Sequence, residues 1–295
     1  MNIQQLKYFV TACEYGNISL AAQALHISQS SITVAIKNLE KEFSVDLIKR
    51  HRVGFSLTHD GQEFLEMARG VIQHIDSVED RMADISQKHQ EIKLGIPPMI
   101  CAILLTDLLC DIKIRYPEIK ISFVEAGGQE LLKLLNDNLL DMVLVPMDDA
   151  GCNDGLESVR VATYEDVCCI SAEHKFAKEK SICIKDLLNQ PLVLFPESFY
   201  HNSMVNKMFE QEKIQAKVVH KTTQLSTMEQ LIEKNMAIGL LFREWAEQAS
   251  NIKGISFDPP IYTGIYLAWR KNTHLTKDKK IIIDCIKRNM KGDLL

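Results

Sequence analysis

The chain has 295 residues, of which 46% are hydrophobic and 25% are charged. These fractions are typical of globular proteins, and the length allows two or three domains with buried cores, which excludes a disordered protein. The sequence has no run of about 18 apolar residues, and its start, MNIQQLKYFV, lacks the features of a signal peptide. We therefore expect a cytoplasmic protein that has no membrane partner.

The eight cysteines are scattered, and no two of them form a CxxC pair. This spacing disfavours a disulfide framework and a zinc site, so the sequence predicts no metal and no cofactor. Free cysteines are most often small buried side chains. A cysteine-based redox sensor stays open as the alternative, and the adjacent Cys168 and Cys169 are its first candidates.

The net charge of -5 argues against a protein that coats nucleic acid with its whole surface. Residues 1–61 nevertheless carry six basic against five acidic side chains, whereas the rest of the chain is acidic. Any contact with DNA is therefore expected from the N-terminal end.

Three short helices are predicted at this end. An apolar stripe with helical spacing ends at Gly16-Asn17, and Ser19 is expected to cap a second helix that runs to Leu25. After a turn at 26–27, Ser28 is expected to cap a third helix, and its predicted buried face consists of Ile32, Ala35, Ile36, Leu39 and Phe43.

The second and third helices, joined by a brief turn, fit the helix-turn-helix plan for binding in the major groove. The outward face of the third helix carries side chains that can hydrogen-bond bases or phosphates, namely Gln29, Ser30, Thr33 and Lys37. The positive end of the helix dipole attracts phosphate as well.

The segment from Leu47 to Thr58 has two short apolar stretches around a basic turn that contains Gly54. This pattern predicts a β-hairpin wing with Lys49, Arg50 and Arg52 near its tip, where they could contact the DNA backbone or a narrow minor groove. The alternative interpretation is a solvated, charged turn.

These residues together resemble the LysR-type transcriptional regulators. The matching positions are Leu6, Phe9, Ser19, Ala21, Ala22, Leu25, Ser28, Gln29, Ser30, Ser31, Ile32, Thr33, Ile36, Leu39, Glu40, Leu47, Arg50, Leu57, Thr58 and Gly61. The resemblance implies that Gln29, Ser30 and Thr33 contact bases or phosphates and that Arg50 and Arg52 contact the DNA backbone. The full set of residues predicted to bind DNA is Ser28, Gln29, Ser30, Ser31, Thr33, Lys37, Lys49, Arg50 and Arg52. The sequence departs from the family pattern at Ile48, where Phe is usual, and at Val34-Ala35, where a basic or polar pair is common.

A long helix is predicted from a cap at Thr58 to about Lys88, because no proline interrupts this segment. Apolar residues recur on it with alternating spacings of four and three, at Phe64, Ala68, Val71, Ile75, Val78, Met82 and Ile85. This heptad seam predicts a homodimer, and the resemblance implies that tetramers form as well. Packing of the seam against the chain's own domain is the alternative.

The C-terminal two-thirds alternates short apolar runs with amphipathic stretches. Strands are predicted at 92–96, 120–124, 142–145, 167–170, 192–195, 217–219, 238–241 and 265–269, and helices at 102–115, 130–139, 203–212 and 227–234. Near-continuous apolar strands that alternate with helices predict an α/β region with parallel sheets covered on both faces.

The resemblance implies that this region has two lobes, like those of periplasmic binding proteins, with a small-molecule effector in the cleft between them. The implied domains are a winged helix-turn-helix (1–61), a linker helix (62–88) and an effector domain (92–295), whose lobe I is 92–161 with 265–295 and whose lobe II is 162–264. The implied effector contacts are Pro98, Met99, Ile100, Gly128, Gln129, Pro146, Phe195, Thr223 and Gln224. Because Met99 and Ile100 replace the usual hydroxyl residues, we expect an uncharged or partly apolar effector.

The sequence disfavours three functions other than that of a regulator. No metal-ligand spacing, GxSxG or GxGxxG motif supports an enzyme. The missing signal peptide and the helix-turn-helix oppose a plain solute-binding protein, and a purely architectural DNA-binding protein would leave the large α/β region without a purpose. The expected partners are therefore double-stranded DNA, an effector and further copies of the chain, with RNA polymerase as a further candidate.

Overall fold

The computed structural model describes residues 1–51, 54–86, 89–147, 155–271 and 273–290. Its internal contacts divide the chain into two compact units, one mainly within Met1–Ser86 and one mainly within Gln87–Lys271. In the described ranges no helix has both the length and the apolar character needed to cross a membrane.

The first unit begins with three helices, α1 (Ile3–Tyr15), α2 (Ile18–Ala24) and α3 (Gln29–Phe43). Gly16, at a φ of 58°, ends α1 in the left-handed conformation that favours glycine. The cap of α2 is Asn17, whose Oδ1 accepts hydrogen bonds from the backbone N–H groups of Ser19 and Leu20 at 2.8 and 3.3 Å. The predicted cap at Ser19 is thus wrong, because Ser19 already lies inside the helix and donates to the residue that caps it.

The three helices enclose a tight apolar core. Ala21 is completely buried, so α2 lies close to its neighbours, and the predicted buried face of α3 is confirmed at Ile32, Ala35, Ile36 and Leu39. Phe43 is an exception, since 43% of it is exposed. It lies on the last turn of α3, where the helix extends past the core.

A hairpin and a long helix complete this unit. Strands β1 (Ile48–Arg50) and β2 (Phe55–Leu57) pair antiparallel, as predicted for the wing. Helix α4 (His59–Ser86) follows, and Thr58 caps it, because its Oγ1 accepts a hydrogen bond from the backbone N–H of Gly61 at 2.8 Å.

The second unit alternates strands and helices. Its elements in chain order are β3 (Ile92–Ile96), α5 (Pro98–Arg115), β4 (Ile121–Glu125), α6 (Gly128–Asn136), β5 (Met142–Met147), β6 (Leu156–Ser171), β7 (Ser181–Ile182), β8 (Pro191–Leu194), α7 (Tyr200–Gln211), β9 (Lys217–Lys221), α8 (Leu225–Glu233), β10 (Gly239–Phe242), α9 (Arg243–Ala246), β11 (Ile252–Arg270) and α10 (Lys277–Asn289). Two short 3-10 helices, Lys175–Lys178 and Ile184–Leu187, flank β7.

The sheets are mixed and not parallel throughout. The main sheet has the order β10-β6-β11-β5-β3-β4, with β7 beside β11, and β8 pairs with β9 in a second sheet. Strand β3 is parallel to β4 and β5, and β8 is parallel to β9, but β6 and β11 run antiparallel to each other. The prediction of parallel sheets is wrong for these two strands, because β6 also pairs antiparallel with β10, and β11 with β5. The direction of a strand depends on its partners and has no local signal in an apolar run.

The two long strands connect two compact halves. On one side β11 pairs with β5 over Gly264–Ala268, and α6 packs Leu131 and Leu135 against this part of the sheet. On the other side β6 pairs with β10, and β8 and α7 belong to a separate apolar cluster. We call the half that contains β5 and α6 lobe I and the half that contains β8, β10 and α7 lobe II. This α/β architecture confirms the predicted two-lobed fold class.

Candidate nucleic-acid interface and effector cleft

The start of α3 is built from serine hydroxyls. The Oγ of Ser28 accepts a hydrogen bond from the backbone N–H of Ser31 at 3.2 Å, so the predicted cap is confirmed. The same Oγ lies 2.7 Å from Ser30 Oγ and 2.8 Å from Ser31 Oγ. Ser28 therefore holds the helix start, while the hydroxyls of Ser30 and Ser31 can each take a second partner.

The outward face of α3 carries the side chains predicted to contact DNA. Gln29, Ser30 and Lys37 are exposed, and Thr33 is half-buried beside them. Val34, identified from the sequence only as a departure from the family pattern, is an apolar side chain on the same face and is 54% exposed.

Helix α3 is tied to the hairpin by a carboxylate. Glu40 Oε1 accepts hydrogen bonds from the backbone N–H groups of Leu47 and Ile48 at 3.0 and 3.3 Å. Because Glu40 lies on α3 and Ile48 begins β1, this contact sets the position of the wing relative to the proposed DNA-binding helix.

The hairpin exposes Lys49 and Arg50, while Arg52 lies outside the described residues. His51 donates its backbone N–H to Gly54 O at 3.2 Å, which closes the turn. Gly54 has a φ of 77°, and a Cβ there would lie 2.7 Å from Gly16 O, so this position requires glycine.

Helix α4 has two different apolar stripes. One of them, formed by Leu65, Ala68 and Ile72, is buried in the first unit. Phe64 also packs within this unit, with its ring centroid 5.3 Å from that of Phe9. Two of the seven residues predicted for the dimer seam, Phe64 and Ala68, therefore lie against the chain's own domain.

The rest of the predicted seam is more open. Ile75 is half-buried, whereas Val71, Val78, Met82 and Ile85 are exposed, Val78 by 61% and Ile85 by 74%. Four large apolar side chains in one row on a helix form a surface that water solvates poorly.

Lobes I and II enclose two cavities. The first, which we call the α7 cavity, has a volume of about 380 Å³ and lies between α6 and α7. Lobe I lines it with Gly128, Gln129, Leu132, Val145 and Pro146, and lobe II lines it with Tyr200, Ser203, Met204, Lys207, Met208 and Gln211.

The second, which we call the α8 cavity, has a volume of about 520 Å³ and lies at the start of α8. Lobe I lines it with Pro98, Glu125, Ala126, Gly127 and Glu130, and lobe II lines it with Ser198, Phe199, Thr223, Gln224, Leu225 and Ser226. Six of the nine predicted effector residues therefore line one cavity or the other.

The two lobes meet at Gly127. A Cβ at this position would lie 3.1 Å from Ser198 O and 3.2 Å from the ring of Phe199, so the backbones approach closely here. Gly127 and Phe199 line the α8 cavity, and their neighbours Gly128 and Tyr200 line the α7 cavity. The contact thus separates the two cavities.

The other three predicted effector residues lie in the core. Met99, Ile100 and Phe195 are each at most 3% exposed and line neither cavity. Met99 Sδ accepts a hydrogen bond from the backbone N–H of Phe242 at 3.4 Å, and the Phe195 ring stacks on Phe199 at 4.9 Å. These three residues pack in the core behind the residues that line the cavities.

A buried polar network fixes the start of α7. Asp166 is completely buried on β6, and its Oδ1 lies 3.0 Å from His201 Nε2. Thr263 on β11 donates its hydroxyl to Asp166 Oδ2 at 2.5 Å. The cleft wall that carries Tyr200 and Met204 is thereby held on both long strands.

The charges at the α8 cavity are acidic. Its described lining includes the carboxylates of Glu125 and Glu130 and no lysine or arginine. Within the part of the chain that the structure describes, Lys207 is the single basic residue that lines the α7 cavity, which is otherwise apolar or neutral. Across the described residues, no group of His, Cys, Asp and Glu side chains is arranged to hold a metal ion.

The cysteines proposed for redox sensing are buried. Cys168 and Cys169 have no exposed surface. Burial raises the pKa of the Cys168 thiol well above its usual value and that of Cys169 to about 12. A protonated, inaccessible thiol reacts poorly with oxidants, so burial disfavours this pair as a redox sensor.

Comparison with known proteins identifies the family to which both units belong. Residues 3–62 match the family described as "Bacterial regulatory helix-turn-helix protein, lysR family", and residues 86–291 match the "LysR substrate binding domain". The chain belongs to the LysR family. It is therefore a DNA-binding transcription regulator of LysR type with an effector-binding domain, and the predicted resemblance is confirmed.

Among its relatives is the malolactic fermentation system transcriptional activator of Lactococcus lactis, 26% identical over 299 residues, which cover 97% of this chain and 98% of the relative. Solved LysR structures share the fold. A full-length OxyR variant from Pseudomonas aeruginosa is 18% identical with a TM-score of 0.70, over 99% of this chain and 98% of that one. Full-length CbnR complexed with its target DNA is 21% identical with a TM-score of 0.58, over 98% of this chain and all of that one.

Proposed function

We propose that this LysR-family protein acts in the cytoplasm as an oligomeric regulator whose binding to operator half-sites is controlled by a small molecule in the cleft between lobes I and II. The observation that carries the proposal is the outward face of α3, where Gln29, Ser30, Thr33 and Lys37 lie together on the second helix of a helix-turn-helix.

Different residues are assigned different parts of DNA recognition. Gln29 can hydrogen-bond adenine N6 and N7, so it is assigned to base recognition. Lys49 and Arg50 on the hairpin are assigned to phosphates, as is Arg52 beyond the described residues. Ser28 is assigned mainly to capping, because its Oγ already accepts the Ser31 N–H.

Two alanine variants distinguish base recognition from phosphate contact. Duplexes selected from a random library by the full-length protein serve as specific DNA, and shuffled duplexes serve as nonspecific DNA. Gln29→Ala is expected to lower the ratio of specific to nonspecific affinity by about tenfold, since a good bidentate contact contributes roughly 1–3 kcal/mol.

Lys49→Ala is the matched comparison. It is expected to weaken binding to all duplexes alike and to reduce the slope of log K against log [salt] by about 1, because one phosphate contact is lost. Equal losses on both classes of DNA for Gln29→Ala would remove Gln29 from base recognition. Failure of the wild-type protein to enrich any sequence would contradict the proposed function.

The effector is assigned to an uncharged or partly apolar class. The α7 cavity offers Leu132, Val145, Met204 and Met208 for apolar contact, and Gln129 and Tyr200 for hydrogen bonds. The carboxylates at the α8 cavity repel a ligand that carries several negative charges.

An effector can alter DNA binding only if it binds one arrangement of the lobes better than another. The meeting point of the lobes at Gly127 is where such an arrangement would be stabilised. A change in lobe closure would then alter the spacing of the DNA-binding units in the oligomer. The expected result is a change in the access of RNA polymerase to the DNA.

Dimerisation is assigned to the exposed stripe of α4. Val71, Val78, Met82 and Ile85, with half-buried Ile75, leave apolar surface that a second copy of α4 would cover. Two half-sites also require two copies in a fixed relation. Catalysis is not part of the proposal, and the burial of Cys168 and Cys169 disfavours the redox alternative.

A further inference from the structure

The middle of the outward face of α3 holds an apolar side chain among polar ones. Successive residues of an α-helix are rotated by about 100°, which places Val34 about 40° from Ser30, about 60° from Lys37 and about 160° from buried Ile32. The exposure agrees with this geometry, since Val34 is 54% exposed and Ile32 is completely buried.

A single exposed valine is common on protein surfaces and by itself implies no function. The position of Val34 is what gives it a role. If α3 lies in the major groove with Ser30 and Lys37 towards the DNA, Val34 lies between them along the helix axis and within about 60° of both around it, so it meets the edge of a base pair.

The chemistry of that edge limits what can lie against a valine. The major groove presents hydrogen-bond donors and acceptors on every base pair, and its apolar group is the C5-methyl of thymine. A donor or acceptor covered by Val34 would lose its water and gain no hydrogen bond, which is unfavourable. A methyl group covered by Val34 removes apolar surface from water, which is favourable.

We propose that Val34 selects thymine at one position of each operator half-site through contact with the C5-methyl group. The inference rests on the proposed DNA-binding role of α3 and adds a specificity-determining residue to it. It also explains how an apolar residue serves where a basic or polar one is common: recognition of one base changes from hydrogen bonding to methyl contact.

The test removes one methyl group from the DNA and two from the protein. The full-length protein is used to select its preferred duplex from a random library, and each thymine of that duplex is then replaced singly by deoxyuridine, which pairs identically but lacks the C5-methyl. Dissociation constants are measured by fluorescence anisotropy for wild type and Val34→Ala.

For wild type, we expect that in each half-site one of the single replacements weakens binding about fourfold. This factor corresponds to about 0.8 kcal/mol, the contribution of one buried methyl-sized group. Val34→Ala is expected to bind the thymine duplex more weakly and to bind the thymine and deoxyuridine duplexes almost equally. Val219→Ala is the matched control, because Val219 is 51% exposed on β9 and far in sequence from α3. It should keep the fourfold difference.

The outcomes distinguish the two proposals. If a preferred duplex is selected but no deoxyuridine replacement weakens binding, or if the difference persists in Val34→Ala, the role of Val34 is wrong while DNA recognition by α3 stands. If the library yields no preferred duplex, the proposed function itself fails. Circular dichroism shows whether Val34→Ala keeps its fold, which the exposure of the side chain leads us to expect.

Discussion

Gly61 lies where the first turn of α4 passes the loop before the hairpin. A Cβ at this position would lie 2.0 Å from the carbonyl oxygen of Leu47, which is backbone and cannot rotate away. The same carbonyl oxygen accepts the backbone N–H of Thr58 at 3.1 Å, so a displaced loop would also weaken the cap of α4. The close approach explains why this position needs glycine.

Gly61→Ala is therefore expected to lower the free energy of unfolding of the first unit by at least about 1–3 kcal/mol, the usual cost of overpacking. Gly70→Ala is the matched control on the same helix, since nothing lies within 4 Å of a Cβ there. It should stabilise the unit by up to about 1 kcal/mol through helix propensity. Native-state hydrogen exchange over residues 1–86 measures both, and equal effects would contradict the steric explanation.

Local chemistry could be predicted from the sequence, but contacts between distant residues could not. The caps at Ser28 and Thr58 were predictable because a hydroxyl before a helix reaches amides within three residues. The competition between Asn17 and Ser19 was decided by where α2 begins, a boundary that the sequence pattern left uncertain. The close approach of Gly61 to Leu47 depends on tertiary packing. The sequence motif therefore identified Gly61 but could not show why this position requires glycine.

At the scale of elements, α4 has one apolar stripe buried within the first unit and another that is exposed. Leu65, Ala68 and Ile72 are buried within the first unit, whereas Val78 and Met82 face outward. Heptad spacing identified the seam but could not show that its first two residues pack on the chain's own helices. That division depends on where α1 and α3 contact α4, which is a property of the fold.

The exposed part of the seam gives a prediction about assembly. Val78→Glu combined with Met82→Glu is expected to convert the proposed dimer to a monomer at micromolar concentration, because two carboxylates would lose water at an apolar interface. Sedimentation velocity measures the change in mass. Gln62→Glu, on the other side of α4, adds one charge at an exposed position and should leave the mass unchanged. A double variant that stays dimeric would assign the interface elsewhere.

The long strands show how a sequence pattern can be correct in part. The runs at 167–170 and 265–269 were predicted as strands, and each lies within a longer one. Charged residues such as Glu157, Arg160 and Glu165 interrupt the apolar pattern of β6, which hid its full length. Because the direction of a strand depends on its partners, the antiparallel pairing of β6 with β11 had no local signal.

At the scale of the whole effector domain, the cleft was predicted better than its lining. Of the effector contacts that the resemblance implies, Gly128, Gln129, Pro146, Pro98, Thr223 and Gln224 do line the cavities. Met99 and Ile100 instead point into the core, because the phase of α5 decides which side of its first turn faces the cleft. Glu125 and Glu130 belong to no motif that would assign them to the effector site, although they determine the charge of the α8 cavity.

That charge gives a prediction about the effector class. Uncharged or partly apolar metabolites are expected to raise the melting temperature of the full-length protein, since a ligand at 100 times its Kd stabilises the native state by about 2.7 kcal/mol. Small dicarboxylates should produce no shift with wild type. Each pair of like unit charges roughly 7 Å apart costs about 0.6 kcal/mol even in water, and Glu125 and Glu130 both contribute.

The double variant Glu125→Gln/Glu130→Gln removes this repulsion and keeps the shape of both side chains. Its affinity for a dicarboxylate should rise severalfold at low salt, and the gain should shrink as salt screens the charges. Glu118→Gln, at an exposed position of lobe I that lines neither cavity, should show no gain. Tight binding of dicarboxylates alone to the wild-type protein would overturn the assignment of an uncharged or partly apolar effector.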